Sequence, residues 1–111
     1  MTLARWLQAR RPVPPPALRA RIEHELAVSL ALDEREACEA CLRAGERVVA
    51  SLLRENATSR ESAIDLLAAD ALVTYAFEAA SERPAELASL AADAMSRIAA
   101  LGSAGSAPVR A

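Results

Sequence analysis

The sequence contains no lysine and very few aromatic residues. Phe, Tyr and Trp occur once each among the 111 residues, and glycine occurs three times. Strands favour aromatic and β-branched residues, whereas the abundant residues here, 28 alanines and 15 leucines, are strong helix formers. A chain of this length has room for one modest hydrophobic core. The sequence therefore predicts a single all-α domain.

Long apolar runs are missing as well. No stretch of about 18 apolar residues is present to span a membrane, and arginines interrupt the N-terminal segment where a secretory signal would have its apolar core. These absences predict a soluble, cytoplasmic protein, in which cysteines remain reduced. The only histidine is His24, so we expect no metal site, and no cofactor motif is present.

Cys38 and Cys41 have the spacing of a redox or metal-binding pair. We place Cys38 a full turn inside a predicted helix, where the helix dipole no longer lowers a thiol pKa. Both are therefore interpreted as core thiols, with redox or metal chemistry as the alternative.

Positive charge is concentrated at the N-terminus. Five arginines precede the first acidic residue, Glu23, and from there on fifteen carboxylates face eight arginines. Such an acidic body offers no positive face to phosphate groups, so nucleic acid is not an expected partner.

The basic N-terminal segment carries the only tryptophan. Trp6 lies in an amphipathic helix predicted over residues 2–10, a pattern that suits contact with a partner protein or a membrane surface. The candidate residues for this contact are Trp6, Arg5, Arg10 and Arg11. The alternative, which we favour, is that Trp6 packs back onto its own domain or across a dimer.

Apolar residues at spacings of three and four predict four longer helices. The first two cover residues 17–32 and 34–55, with Asp33 and Glu36 forming an acidic capping box at the break between them. One uninterrupted helix over residues 17–55 is the alternative, because no glycine or proline separates its halves.

The third and fourth predicted helices end at Ser81 and Leu101. A second capping box, Thr58 with Glu61, begins the third helix, and Gly102 is the expected C-terminal cap of the fourth. Gly45, inside the second helix, indicates close approach of a neighbouring helix.

Short connections between these helices predict an antiparallel four-helix bundle over residues 17–101. Residues 1–16 form an arm helix followed by a proline-rich spacer that leads into the bundle. Residues 102–111 form a flexible tail. Because bulky side chains are scarce, the core of a monomer is thin. We therefore expect a homodimer that buries the surplus apolar surface.

The third helix is apolar around nearly its whole circumference, which predicts a buried helix. Asp70 interrupts it, and a buried carboxylate costs several kcal/mol unless it is paired or hydrogen-bonded. We expect Asp70, with Thr74 and Tyr75, to line a ligand pocket or form a buried polar network. An arginine or Tyr75 of a neighbouring subunit is a candidate partner for the carboxylate.

Residues 66–78 read Leu-Leu-Ala-Ala-Asp-Ala-Leu-Val-Thr-Tyr-Ala-Phe-Glu. This segment resembles a core helix of the trans-prenyl diphosphate synthases. The resemblance implies an all-α fold and, for that family, condensation of allylic diphosphates with magnesium held by two aspartate-rich motifs. Neither motif is present in this sequence, so no residues match those that hold magnesium.

Two functions remain in view from the sequence. The first is a small non-enzymatic helical protein that acts through homodimerisation or protein–protein interaction. The alternative is a small-molecule-binding or vestigial isoprenoid-synthase-like bundle with a pocket near Asp70.

Overall fold

The structure, a computed structural model, describes residues 1–55 and 59–105. Within this part of the chain the only strand-like feature is an isolated bridge between Thr2 and Asp33, and the prediction of an all-α domain is confirmed. The five α-helices are α1 (Leu3–Gln8), α2 (Pro16–Glu25), α3 (Ala37–Glu55), α4 (Arg60–Ser81) and α5 (Pro84–Gly105). None of the helices in these residues is both long and apolar enough to traverse a bilayer.

The N-terminal helix α1 is anchored to the connection between α2 and α3. The Thr2 hydroxyl caps α1 by accepting a hydrogen bond from the Arg5 amide at 3.3 Å. The Leu3 amide donates to the Leu32 carbonyl at 2.8 Å, and the Ala4 amide donates to the Leu30 carbonyl at 3.0 Å. The connection therefore satisfies N–H groups that a helix start leaves without partners.

The predicted helix over residues 17–32 is too long. α2 ends at Glu25, and a 3-10 turn, Ala27–Ser29, follows it. The Leu30 and Leu32 carbonyls accept hydrogen bonds from α1, whereas in a continuing helix they would accept from amides four residues further on. The alternative of one helix over residues 17–55 is therefore wrong.

The start of α3 differs from the predicted capping box. A 3-10 turn, Glu34–Glu36, precedes the helix, and the Asp33 carboxylate accepts from the Arg35 amide at 2.9 Å rather than from that of Glu36. Because α3 begins at Ala37, Cys38 lies in its first α-helical turn and not a full turn inside, as we had placed it.

α4 begins with a cap one residue after the predicted one. Ser59 is the N-cap, and its hydroxyl accepts from the Ser62 amide at 3.2 Å. Thr58, the predicted cap, lies outside the described residues.

The last helix, α5, runs to Gly105, four residues beyond the predicted end. No described glycine has a positive φ, so the predicted cap at Gly102 is wrong. Ser and Ala follow Gly102, and both are compatible with helix, so one glycine costs about 1 kcal/mol without ending it. The first four residues of the predicted tail, 102–105, are therefore helical. Residues 106–111 lie outside the described part of the chain.

The core is centred on α3 and α4, which pack along most of their lengths, with α2 against α4 and α5 against both. Gly45 lies where the two central helices meet, and a Cβ atom built there would lie 3.2 Å from Val73 Cγ2. The close helix approach expected at this glycine is confirmed. The largest fully buried side chains are Leu3, Ile22, Leu26, Leu42, Leu72, Val48 and Cys41.

α4 is not buried on all sides, as its composition had suggested. Leu66 and Leu67 are 61% and 55% exposed, because α2, α3 and α5 leave the outward side of α4 uncovered. Exposed positions recur along this side at spacings of three and four. We call them the outer stripe of α4: Arg60, Ala63, Leu66, Leu67, Asp70 and Thr74.

Candidate functional site

Trp6 lies inside the domain. Its side chain is 2% exposed, and its ring meets Tyr75 of α4 edge to face, with 6.5 Å between centroids and 88° between planes. The indole N–H donates to Glu82 Oε1 at 3.2 Å. The structure therefore places Trp6 against its own chain rather than on a surface that a membrane or partner would meet.

Arg10 covers the indole from the outside. Its guanidinium carbon lies 4.1 Å from the indole ring centroid, a cation–π arrangement, and Nη1 lies 3.6 Å from Glu78 Oε1. Arg5 and Arg11 are exposed. Of the four residues predicted for a surface contact, Trp6 is therefore buried, Arg10 covers its ring, and only Arg5 and Arg11 are exposed.

Asp70, Thr74 and Tyr75 are not brought together. Asp70 and Thr74 lie exposed on the outer stripe, and Tyr75 is buried among α1, α3 and α4. The predicted burial of Asp70 is wrong within one copy of the chain. Neighbouring residues of a helix point about 100° apart, so Tyr75 turns inward while the residue before it faces solvent.

A cleft of about 270 Å³ opens beneath α1, and we call it the arm cleft. It lies between α1, the proline-rich segment and α2, with Tyr75 of α4 also contributing to its wall. The apolar side chains in its wall are Ala4, Leu7, Val13, Pro14, Ile22 and Leu30. Of these, Ile22 is 1% exposed and Val13 is 52% exposed, so the wall reaches from the core to the solvent.

The charged residues of the arm cleft are Arg10, Arg11, Arg19 and Glu23. Arg19 Nε donates to Glu23 Oε1 at 2.9 Å across one helical turn of α2. Arg11 donates through Nη1 to the Gln8 and Arg10 carbonyls, both at 2.9 Å. Arg19 is paired with Glu23, and Arg10 lies near Glu78 outside the cleft, so among the described residues Arg11 supplies the positive charge of the wall that no carboxylate balances.

The two cysteines do not form a disulfide. Cys41 is fully buried, and burial raises the pKa of its thiol to about 12. Burial likewise raises the pKa of Tyr75. A thiol held protonated at neutral pH is a poor nucleophile, so Cys41 acts as a core side chain.

A charged cluster away from the arm cleft holds two helices together. Arg97 of α5 contacts Glu39 and Glu46 of α3, at 3.1 Å in the case of Glu39, and Asp93 one turn earlier on α5 at 3.2 Å. This arrangement docks α5 on α3. No cluster of three or more metal-ligating side chains occurs in residues 1–55 and 59–105.

Sequence reasoning missed the arm cleft because its wall combines distant segments. Val13 and Pro14 were interpreted as part of a spacer, and Arg19 as one of several N-terminal charges. The signal was the run of prolines after α1, since a stiff segment of this kind holds a helix at a fixed distance from the next. Comparison with protein-family models, with curated proteins and with solved structures finds no match to this chain.

Proposed function

We propose that this protein is a non-enzymatic helical module that acts by pairing with a second copy of itself through the outer stripe of α4. The observation that carries the proposal is the position of Leu66 and Leu67. Two large adjacent apolar side chains are more than half exposed at the centre of a helix face. Burying a fully exposed leucine contributes about 1.5–3 kcal/mol. Covering these two side chains, which are a little over half exposed, contributes about half of that each, so it favours association.

The charges on the outer stripe suit a two-fold pair. Arg60 and Thr74 each lie seven residues from Leu67, so antiparallel pairing about Leu67 brings Arg60 of one copy beside Thr74 of the other. Asp70 lies one turn from Thr74 on the same face. Arg60 of one copy therefore lies about one helical turn from Asp70 of the other, on both sides of the leucines, and this arrangement is self-complementary.

Neither Arg60 nor Asp70 has an ion-pair partner within the described residues of its own copy. Pairing between copies would supply one for each. It would also give Asp70 the arginine of a neighbouring subunit that its place in an apolar helix led us to expect.

Sedimentation velocity over a range of protein concentrations tests the dimer. We expect the wild-type protein to dimerise and Leu67→Glu to be monomeric, because the substitution puts like charges at the centre of the interface. Met95→Glu is the matched control, since Met95 is 73% exposed but lies on α5. A wild-type chain that stays monomeric up to millimolar concentration would refute the proposal.

A charge exchange tests the orientation of the pair. Asp70→Arg should weaken the dimer, because two arginines then face each other, and adding Arg60→Asp should restore it. If the double variant is no more dimeric than Asp70→Arg alone, the antiparallel arrangement about Leu67 is wrong.

We also propose that α2 to α5 form an antiparallel four-helix bundle. The short connections on either side of α4 and the packing of α4 against both α3 and α5, its neighbours along the chain, support it. In that arrangement α1 is an added element held against the connection between α2 and α3.

A second candidate function is small-molecule binding, with the packing of a vestigial isoprenoid synthase. One observation favours it: Tyr75, within the segment that resembles the synthases, lines a cleft, although Asp70 does not. Dimethylallyl diphosphate with Mg²⁺ is the probe for this candidate. No rise in melting temperature with this pair would remove it.

A further inference from the structure

We propose that the arm cleft binds an anionic amphiphile, a single carboxylate attached to a short unbranched apolar chain. This inference deepens the second candidate function by naming a ligand class, and it is independent of the dimer. The residues of the arm cleft and those of the outer stripe do not overlap.

The size of the cleft sets the length of the ligand. Its volume of about 270 Å³ lies just below the usual range for small-molecule pockets. At ~30 Å³ for a water-sized group, it has room for roughly nine such groups. A carboxylate with about seven further carbons has ten non-hydrogen atoms, close to this number, and the cleft is open to solvent at the carboxylate end.

The apolar wall suits the chain of the ligand. Ile22 and Tyr75 are buried, and Leu7 and Leu30 are half-buried against the same core. A ligand hydrocarbon chain placed along these side chains removes its apolar surface from water on several sides. This burial is the main source of favourable free energy in such pockets.

The exposed arginines at the rim suit the carboxylate. Arg11 makes no ion pair within the described residues, and both of its hydrogen bonds leave from Nη1. A guanidinium carries five N–H donors and binds a carboxylate through two of them at once. Arg19 is already paired with Glu23, but the pair is exposed, so it can be shared with a ligand at little cost.

Arg10 links the cleft to a spectroscopic signal. It lines the cleft and also covers the ring of Trp6, the only tryptophan in the chain. A carboxylate that draws Arg10 away from the indole changes the environment of this single fluorophore.

Isothermal titration calorimetry with octanoate, below its micelle concentration, tests the proposal. We expect binding of octanoate and at least tenfold weaker binding of octylamine and octanol. The double substitution Arg11→Gln and Arg19→Gln should weaken octanoate binding at least tenfold. Arg43→Gln is the matched control for Arg19, because Arg43 is also exposed and paired with a glutamate one turn away, on α3.

A second pair of variants tests the place of binding without disturbing the core. Val13→Asp puts a negative charge at the rim and should weaken octanoate binding at least tenfold. Val28→Asp should not, because Val28 is 90% exposed and outside the cleft. All variants should keep the wild-type far-ultraviolet circular dichroism spectrum.

The outcomes separate this inference from both candidate functions. No heat of binding with octanoate, or equal affinity in the Val13→Asp and Val28→Asp variants, would overturn it. Octanoate binding without any effect of dimethylallyl diphosphate and Mg²⁺ supports the carboxylate site and removes the synthase-like function. A chain that binds octanoate but never dimerises keeps the site and loses the dimer.

Discussion

Trp6 connects three parts of the molecule at the scale of a single residue. It belongs to α1, it meets Tyr75 of α4 edge to face, and its N–H reaches Glu82 beyond the end of α4. Arg10 closes the cluster from the solvent side. An amphipathic arm with one tryptophan and several arginines is also the pattern of a membrane-surface helix. The sequence left both interpretations open because contacts across 76 positions leave no local pattern.

The buried thiol of Cys41 makes stability depend on alkaline pH. The pKa of this thiol is about 12 in the folded chain and near 9.0 when the thiol is not buried, as in the unfolded chain. Between these two pH values the unfolded chain releases a proton that the folded chain retains. The stabilisation is therefore complete below about pH 9 and is lost as the pH rises towards 12.

Cys41→Ala removes this titration, and urea unfolding at about pH 8 and pH 10 measures it. We expect the free energy of unfolding of the wild type, relative to the variant, to fall by about 1 kcal/mol between the two pH values. A difference that stays constant would show that the thiol titrates alike in both states.

At the scale of the helices, boundaries set by nearby residues were easier to predict than boundaries set by distant contacts. α3 and α4 end at Glu55 and Ser81, as predicted, and Ser59 signals the start of α4 through its side-chain oxygen. The end of α2 depends instead on carbonyls that α1 uses, far away in sequence. The end of α5 was misplaced because a glycine was interpreted as a cap where the helix simply continues.

Gly45 and Gly102 are both helical and allow a matched comparison. Gly102→Ala should stabilise the protein by up to ~1 kcal/mol, since alanine favours helix and nothing lies within 4 Å of the new Cβ. Gly45→Ala gains the same preference but presses on Val73 Cγ2 at 3.2 Å, so it should stabilise less or destabilise. Urea unfolding followed by circular dichroism measures both. A larger gain at Gly45 would contradict the close packing of α3 and α4.

For the whole molecule, composition was sufficient to predict the all-α class, and the spacing of apolar residues located α3, α4 and α5 to within a few residues at each end. It was not sufficient for burial, because alanine and leucine fit equally well inside a domain and on a face between two copies. The exposure of Leu66, Leu67 and Asp70 follows from how many helices surround α4, which is a property of the assembled fold.

Association should be visible in the thermal stability of the whole protein. If folding and pairing are coupled, the melting temperature rises with protein concentration, because mass action favours the dimer. We expect this dependence in the wild type and in Met95→Glu, and its loss in Leu67→Glu. Differential scanning calorimetry over a hundredfold concentration range measures it, and equal melting temperatures throughout would argue against a dimer that unfolds with its subunits.

The long reach of Trp6 has a consequence for how the protein is made. Tyr75 and Glu82, which contact the indole, are synthesised roughly seventy residues after it. During that interval the indole of a nascent chain lacks two of the groups that contact it in the folded domain. A chain released before residue 82 therefore cannot complete the cluster around Trp6.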